Sequence, residues 1–158
     1  VAAIRAFSAL ANKGVPASPH VVKGIRYPKG TVQEVSVPVA LPAVITPASV
    51  ATISRMLVTA FEQSPAGKAS NAKDDPWSIA AKTGTAQIPM EDGRGYYPDK
   101  YLHSMLGYFP AYDPHFVVLL YIVNPRGVQY SSGTVAYTFA DMAHFLLTYY
   151  QVPPDRAQ

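Results

Sequence analysis

The run Lys82-Thr83-Gly84-Thr85 combines residue types that are able to bind an extended peptide. Glycine weakens a strand and usually marks a position where another backbone approaches closely. Strand alternation predicts Lys82 and Gly84 on one face and the two threonines on the other. If such a strand lies at a sheet edge beside a cleft, its free backbone groups are able to form hydrogen bonds with a peptide that adds as a further strand. Lys82 adds a positive charge and the threonines add hydroxyl donors, a set that suits a peptide ending in a carboxylate.

Two simpler interpretations compete with this one. On local composition alone, the commoner interpretation of Lys82 is a solvated lysine on an ordinary strand, so the wider sequence has to decide. A phosphate-binding loop is excluded, because that motif needs glycine immediately before the lysine and again five residues earlier. Ala81 and Pro76 occupy those positions.

Metal, thiol and nucleic-acid chemistry are not indicated. The chain has no cysteine, which excludes disulfides, thiolate metal sites and a cysteine nucleophile. Its four histidines lack the spacing of metal ligands, and His103 is expected to be structural. The net charge is only +3, and the basic residues are scattered rather than clustered. We therefore expect no metal, no cofactor and no nucleic-acid partner.

Hydrophobic periodicity predicts the elements that position this run. Helical spacing of apolar residues predicts helices over 1–11, from Thr46 or Ser49 to about Phe61, and over 134–150. Gly14 is expected to cap the first helix. Strands are predicted at 20–27, 31–37, 77–87, 103–109 and 116–123, and exposed loops at 63–76 and 92–100.

The order of these elements predicts an α+β fold. The last three strands have short connections and should form an antiparallel meander, with the flanking helix at 134–150 packed across one face. With 158 residues, the chain fits a single domain. It opens inside an amphipathic helix and not on Met, so we expect residues 1–158 to be a fragment of a longer protein.

Longer motifs resemble one enzyme family, the class B penicillin-binding proteins. Lys82 to Gln87 is similar to the KTGTAQ form of the motif that these serine transpeptidases carry. Further matches follow in the family's order, at residues 9–14, 104–114, 117–125 and 133–154. The last of these ends in Y-x-x-V-P-P-D, similar to division-type members. The resemblance implies the C-terminal part of a penicillin-recognising transpeptidase domain.

This resemblance assigns expected roles to the motif. Lys82 is expected to support the catalytic serine electrostatically and to bind the substrate carboxylate. Thr83 and Thr85 are expected to bond that carboxylate, and the backbone N–H of Thr85 to form half of an oxyanion hole. Gly84 is expected to leave room for the substrate backbone. Gln87, at the end of the motif, is placed with them as a substrate-binding residue.

Two departures from the family pattern bear on activity. Ala81 stands where the family usually has glycine, and the chain contains no S-x-N triplet. One S-x-x-K string occurs, Ser70 to Lys73, but it lies in a polar segment a dozen residues before Lys82. In the family that serine opens a buried helix far upstream. We interpret Ser70 as a coincidence, so the chain is expected to lack the nucleophile.

The resemblance also implies partners and a location. The expected ligands are peptidoglycan stem peptides ending in D-Ala-D-Ala and the β-lactams that resemble them. The expected protein partners are the rest of the same transpeptidase domain and, as a further candidate, division-machinery proteins. The longer protein is expected to be membrane-anchored and to act outside the cytoplasm. The alternatives are a D,D-carboxypeptidase, a β-lactamase-type sensor, or a non-catalytic module that binds peptidoglycan or a division partner.

Overall fold

The computed structural model describes residues 2–34 and 41–156. Within these residues, four helices and five strands follow one another in a mixed order. The helices are α1 (Ala2–Ala11), α2 (Pro47–Gln63), α3 (Pro65–Ala69) and α4 (Val135–Tyr149), with a 3₁₀ turn at Ser131–Gly133 before α4. The strands are β1 (Gly24–Arg26), β2 (Val32–Glu34), β3 (Ala80–Pro89), β4 (Tyr96–Phe109) and β5 (Phe116–Val123).

Helix α1 ends where glycine was expected to end it. The Gly14 N–H donates to the carbonyl of Ala9 at 2.7 Å, and Gly14 has a φ of +98°. A β-carbon at this position would lie 1.9 Å from the carbonyl oxygen of Ile45. Both the left-handed backbone and the close approach therefore require glycine here.

The predicted hairpin forms as β1 and β2, with β1 shorter than predicted and β2 beginning one residue later than predicted. They pair antiparallel, with Ile25 opposite Gln33, and every residue in them is exposed. Residues 35–37 of the predicted second strand lie outside the described residues.

Thr46, not Ser49, caps α2. Its hydroxyl accepts a hydrogen bond from the Ser49 N–H at 3.2 Å, and Pro47 occupies the first helical turn. The loop predicted over 63–76 is partly wrong, because the short helix α3 interrupts it. Ser64 caps α3 by accepting from the Gly67 N–H at 3.0 Å. The pattern missed this helix because five residues that include Gly67 and Lys68 show no helical periodicity.

Strands β3, β4 and β5 form the predicted antiparallel meander, in the order β3-β4-β5. The bounds of β5 match the prediction. The loop predicted over 92–100 is wrong from Tyr96 onward, because β4 begins there and pairs with Pro89 across a tighter turn. Strand β3 also begins later than predicted, at Ala80; before it, Trp77 and Ser78 both bond the C-terminal segment.

The sheet lies between two helical layers, which bury apolar side chains on both of its faces. On one face, α1 and α2 bury Ala80 and Tyr108, with Val58 at the centre of that cluster. On the other face, α4 packs Phe139 against Phe109, with ring centroids 5.9 Å apart. The predicted packing of the last helix on one face is confirmed.

The segment after α4 returns to the start of β3 and fastens it. The Asp155 carboxylate accepts hydrogen bonds from the backbone and hydroxyl of Ser78 and from the Tyr112 N–H. The Arg156 guanidinium donates to the carbonyls of residues 72, 73 and 75 and forms an ion pair with Glu62 at 2.5 Å. Trp77 Nε1 donates to the Val152 carbonyl at 3.0 Å. The C-terminal segment therefore anchors the strand that carries Lys82.

Candidate active-site strand

The Lys82-Thr83-Gly84-Thr85 run occupies an edge of the sheet. Within residues 2–34 and 41–156, β3 pairs only with β4, and its other side has no strand partner. Within the described part of the chain, the run therefore has the edge position that adding a peptide strand requires.

The register fixes which backbone groups point outward from that edge. The Asn124 N–H donates to the carbonyl of Tyr101, so the backbone of Tyr101 faces β5. Because backbone groups alternate sides along an antiparallel strand, Ser104 and the other even-numbered residues of β4 face β3. Their partners in β3 include Lys82 and Gly84. The N–H and C=O groups of Thr83 and Thr85 consequently point away from β4, toward the free edge.

Lys82 lies on the outer part of this strand with its charge in solvent. The residue is exposed, and its ammonium donates to the carbonyl of Thr83 at 2.9 Å, one of the outward-facing groups. Ala81, which replaces the family's usual glycine, is 2% exposed and belongs to the core under α4. The methyl group of Ala81 therefore fills the core and does not crowd the edge.

Gly84 has a neighbour that explains its size. A β-carbon at Gly84 would lie 2.7 Å from Ser104 Oγ, the side chain directly opposite on β4. The Ser104 hydroxyl donates to the Gly84 carbonyl at 3.3 Å. Room for a substrate backbone at Gly84 stays a prediction.

The Thr85 side chain has partners that sequence reasoning missed. Its hydroxyl oxygen lies 3.0 Å from Ser131 Oγ and accepts from the Ser131 N–H at 3.1 Å. Ser131 is 2% exposed, whereas Thr85 is exposed. No local pattern indicated this pair, because 46 residues separate the two positions.

His103 lies beneath the same cluster, opposite Thr85 in the ladder. It is fully buried, its Nε2 lies 3.0 Å from the carbonyl oxygen of Gln129, and its Nδ1 lies 2.9 Å from the hydroxyl of Thr134. A carbonyl only accepts, so Nε2 carries a proton. These contacts agree with the structural role expected for His103.

The remaining candidates lie apart from this cluster. Gln87 is exposed near the end of β3, where its amide donates to the Tyr97 carbonyl at 3.4 Å. Ser70 follows the last residue of α3, and its hydroxyl donates to the Gly67 carbonyl at 3.3 Å. Ser70 therefore lies at the end of a helix, whereas the serine of the family pattern is expected at the start of one. Among the described residues, no group of three metal-ligating side chains comes together.

The sequence as a whole shows which class of protein carries this strand. Residues 1–143 match the family described as the penicillin binding protein transpeptidase domain. Because the match covers most of the chain, the protein belongs to the penicillin-binding protein transpeptidase family.

Individual relatives agree with this assignment. The chain is 32% identical over 153 residues to penicillin-binding protein PbpB of Mycolicibacterium smegmatis, covering 93% of this chain and 24% of the relative. It is 33% identical over 135 residues to stage V sporulation protein D of Bacillus subtilis, covering 84% of this chain and 20% of that protein. The chain thus spans about a quarter or less of the length of these curated relatives.

A solved structure shares the fold. The crystal structure of penicillin binding protein 3 from Mycobacterium tuberculosis, complexed with ampicillin, superposes with a TM-score of 0.78 at 26% identity. The match covers 98% of this chain and 35% of that one. The predicted α+β transpeptidase fold is confirmed. None of the described helices is both long enough and apolar enough to span a membrane.

Proposed function

We propose that this chain is the C-terminal part of a serine D,D-transpeptidase that cross-links peptidoglycan stem peptides. The observation that carries the proposal is the free edge of β3, where the backbone groups of Thr83 and Thr85 point outward beside the Lys82 ammonium. An extended peptide that adds to this edge is held by its backbone, while its terminal carboxylate meets the lysine and the threonine hydroxyls. A stem peptide ending in D-Ala-D-Ala has this chemistry.

The reaction is acyl transfer through a covalent intermediate. A serine from another part of the protein attacks the carbonyl of the penultimate D-Ala, and the terminal D-Ala leaves with a proton on its amine. An amine on a neighbouring stem peptide then attacks the acyl-serine, forms the cross-link and releases the serine. A β-lactam acylates the same serine, and its ring nitrogen stays attached as part of the adduct.

Thr85 and Lys82 have separate roles in this scheme. The outward N–H of Thr85 donates to the oxyanion of the tetrahedral intermediate, and one such donor contributes about 3 kcal/mol to transition-state stabilisation. The Lys82 ammonium favours the deprotonated state of the attacking serine and attracts the substrate carboxylate. The Thr83 hydroxyl binds the terminal carboxylate together with Thr85, and Gln87, nearer the end of the strand, contacts the rest of the donor peptide.

The partners and location follow from this reaction. Peptidoglycan lies outside the cytoplasmic membrane, so the longer protein acts there, held by a membrane anchor. The immediate protein partner of this chain is the rest of its transpeptidase domain, which supplies the serine. A division role, with division-machinery partners, is supported by the C-terminal Y-x-x-V-P-P-D motif. The proposed reaction is further supported by the 36% identity over 72 residues to a protein named peptidoglycan D,D-transpeptidase, FtsI of Escherichia coli.

Acylation of the full-length protein by a labelled penicillin tests the proposal. We expect a stable adduct on a serine outside this chain, and Lys82→Ala should slow its formation at least a hundredfold. Lys68→Ala is the matched control, because Lys68 is an exposed lysine in the last turn of α3. A wild-type protein that forms no adduct would instead favour a non-catalytic peptidoglycan-binding module. Equal rates for the two variants would remove Lys82 from the site.

A further inference from the structure

Thr85 and Ser131 form a pair of hydroxyls in which the direction of the hydrogen bond is decided by burial. The two oxygens are 3.0 Å apart, and on distance alone either one is able to donate. Ser131 is 2% exposed, and Thr85 Oγ1 is the one acceptor that its hydroxyl has among the described residues. Because buried hydroxyl protons are almost always bonded, Ser131 donates to Thr85.

This direction leaves the proton of Thr85 available to a ligand. Thr85 Oγ1 accepts from both the N–H and the hydroxyl of Ser131, so both of its acceptor positions are occupied. Its own proton therefore points toward the exposed side of the residue. A carboxylate accepts hydrogen bonds and does not donate them. It is therefore able to accept the Thr85 proton, and no free lone pair on Thr85 Oγ1 repels it.

His103 holds the segment that carries Ser131. Its Nε2–H donates to the Gln129 carbonyl, and its Nδ1 bonds the Thr134 hydroxyl. These two contacts lie on either side of Ser131, and the Thr134 hydroxyl also lies 3.3 Å from the Ser131 carbonyl oxygen. Thr134 precedes α4 but its side chain makes no capping bond to the helix. Its hydroxyl therefore serves this cluster and not the helix end.

We propose that Ser131, braced by His103, is a positioning residue that turns the Thr85 hydroxyl proton toward the carboxylate of the donor peptide. The role rests on the proposed transpeptidase function and deepens it. Ser131 touches no substrate and acts only through Thr85. The arrangement selects a donor peptide that ends in a free carboxylate over one that ends in a neutral amide.

The test separates binding from chemistry in the full-length protein. Stopped-flow acylation by a carboxylate-bearing penicillin yields the dissociation constant of the initial complex and the first-order acylation rate constant. Ser131→Ala should raise the dissociation constant about ten- to a hundredfold, the effect of one hydrogen bond to a charged group, and change the rate constant less than twofold. Ser132→Ala is the matched control, a neighbouring serine outside this cluster, and should match wild type in both constants.

A double-mutant cycle with Thr85→Val checks that Ser131 acts through Thr85. The double variant should bind no more weakly than Thr85→Val alone. His103→Ala should reproduce the binding defect of Ser131→Ala, and if it does not fold, the Ser131 variants decide.

Each outcome supports or overturns the proposal. An acylated wild type with Ser131→Ala equal to Ser132→Ala would overturn the role of Ser131 and leave the transpeptidase function standing. Additive effects in the cycle, or a slower rate constant with unchanged binding, would overturn it in the same way. A wild-type protein that is never acylated would overturn both.

Discussion

Replacing Asp155 by alanine tests whether the C-terminal segment anchors the active-site strand. The carboxylate accepts from the Ser78 N–H at 2.7 Å, from the Ser78 hydroxyl and from the Tyr112 N–H at 3.0 Å. Ser78 is fully buried, so Asp155→Ala leaves its donors without a partner. A hydrogen bond to a charged group contributes about 1.5–3 kcal/mol, and an unpaired buried donor costs about 1–3 kcal/mol. Since these effects are not additive, we expect a loss of about 3–5 kcal/mol in the free energy of unfolding.

Two measurements on the full-length protein separate a local effect from a global one. Denaturant unfolding gives the loss in stability, and hydrogen exchange at the amides of Ser78 and Tyr112 shows whether the start of β3 has come loose. Asp113→Asn is the control, because the Asp113 side chain is 86% exposed and lies 3.7 Å from His115. It should change stability by less than about 0.5 kcal/mol. Unchanged exchange at both amides in Asp155→Ala would refute the anchoring argument.

Three further predictions address activity, packing and pH. The isolated chain should form no penicilloyl adduct by intact mass spectrometry, and an adduct on Ser70 would contradict our interpretation of that residue. Gly107→Ala should cost about 1–3 kcal/mol in denaturant unfolding, because a β-carbon there would lie 2.6 Å from the Ala80 carbonyl oxygen and 2.8 Å from the Phe139 ring; an unchanged midpoint would contradict it. Burial raises the pKa of Tyr108 above its ordinary 10.0, against the opposing hydrogen bond from Ser54. The neutral phenol therefore contributes stability that is complete below pH 10 and is lost as pH rises through the folded-state pKa. Unfolding measured from pH 9 to 11 should show a shallower decline for Tyr108→Phe than for wild type, and equal slopes would be the contrary result.

The fold was predictable where local pattern and burial coincide. Strand β5 is a run of eight residues that includes no charged side chain, between Pro114 and Asn124-Pro125, and its bounds were found without error. Gly14 and Thr46 are cap residues at the ends of periodic segments, and both act as caps. Helix α3 was missed because five residues are too few to show a period of 3.6.

The candidate site was predictable only in part, because its support comes from distant positions. The Lys82 run could be recognised because its motif is continuous in sequence. Ser131 and Asp155 could not, since they bond residues 46 and 77 positions away and lie in segments without periodicity. No local sequence pattern indicates which residue a serine before a helix, or an aspartate in the C-terminal segment, will bond. Only the folded register brings these groups together.

The two outer strands of the sheet, β3 and β5, differ in how readily another strand can pair with them. Strand β3 carries Lys82 and Pro89, two residue types that discourage uncontrolled strand addition. Strand β5 has none of these, pairs only with β4 among the described residues, and leaves Tyr121 63% exposed and Val123 57% exposed. A chain expressed by itself should therefore self-associate through β5, while β3 stays open.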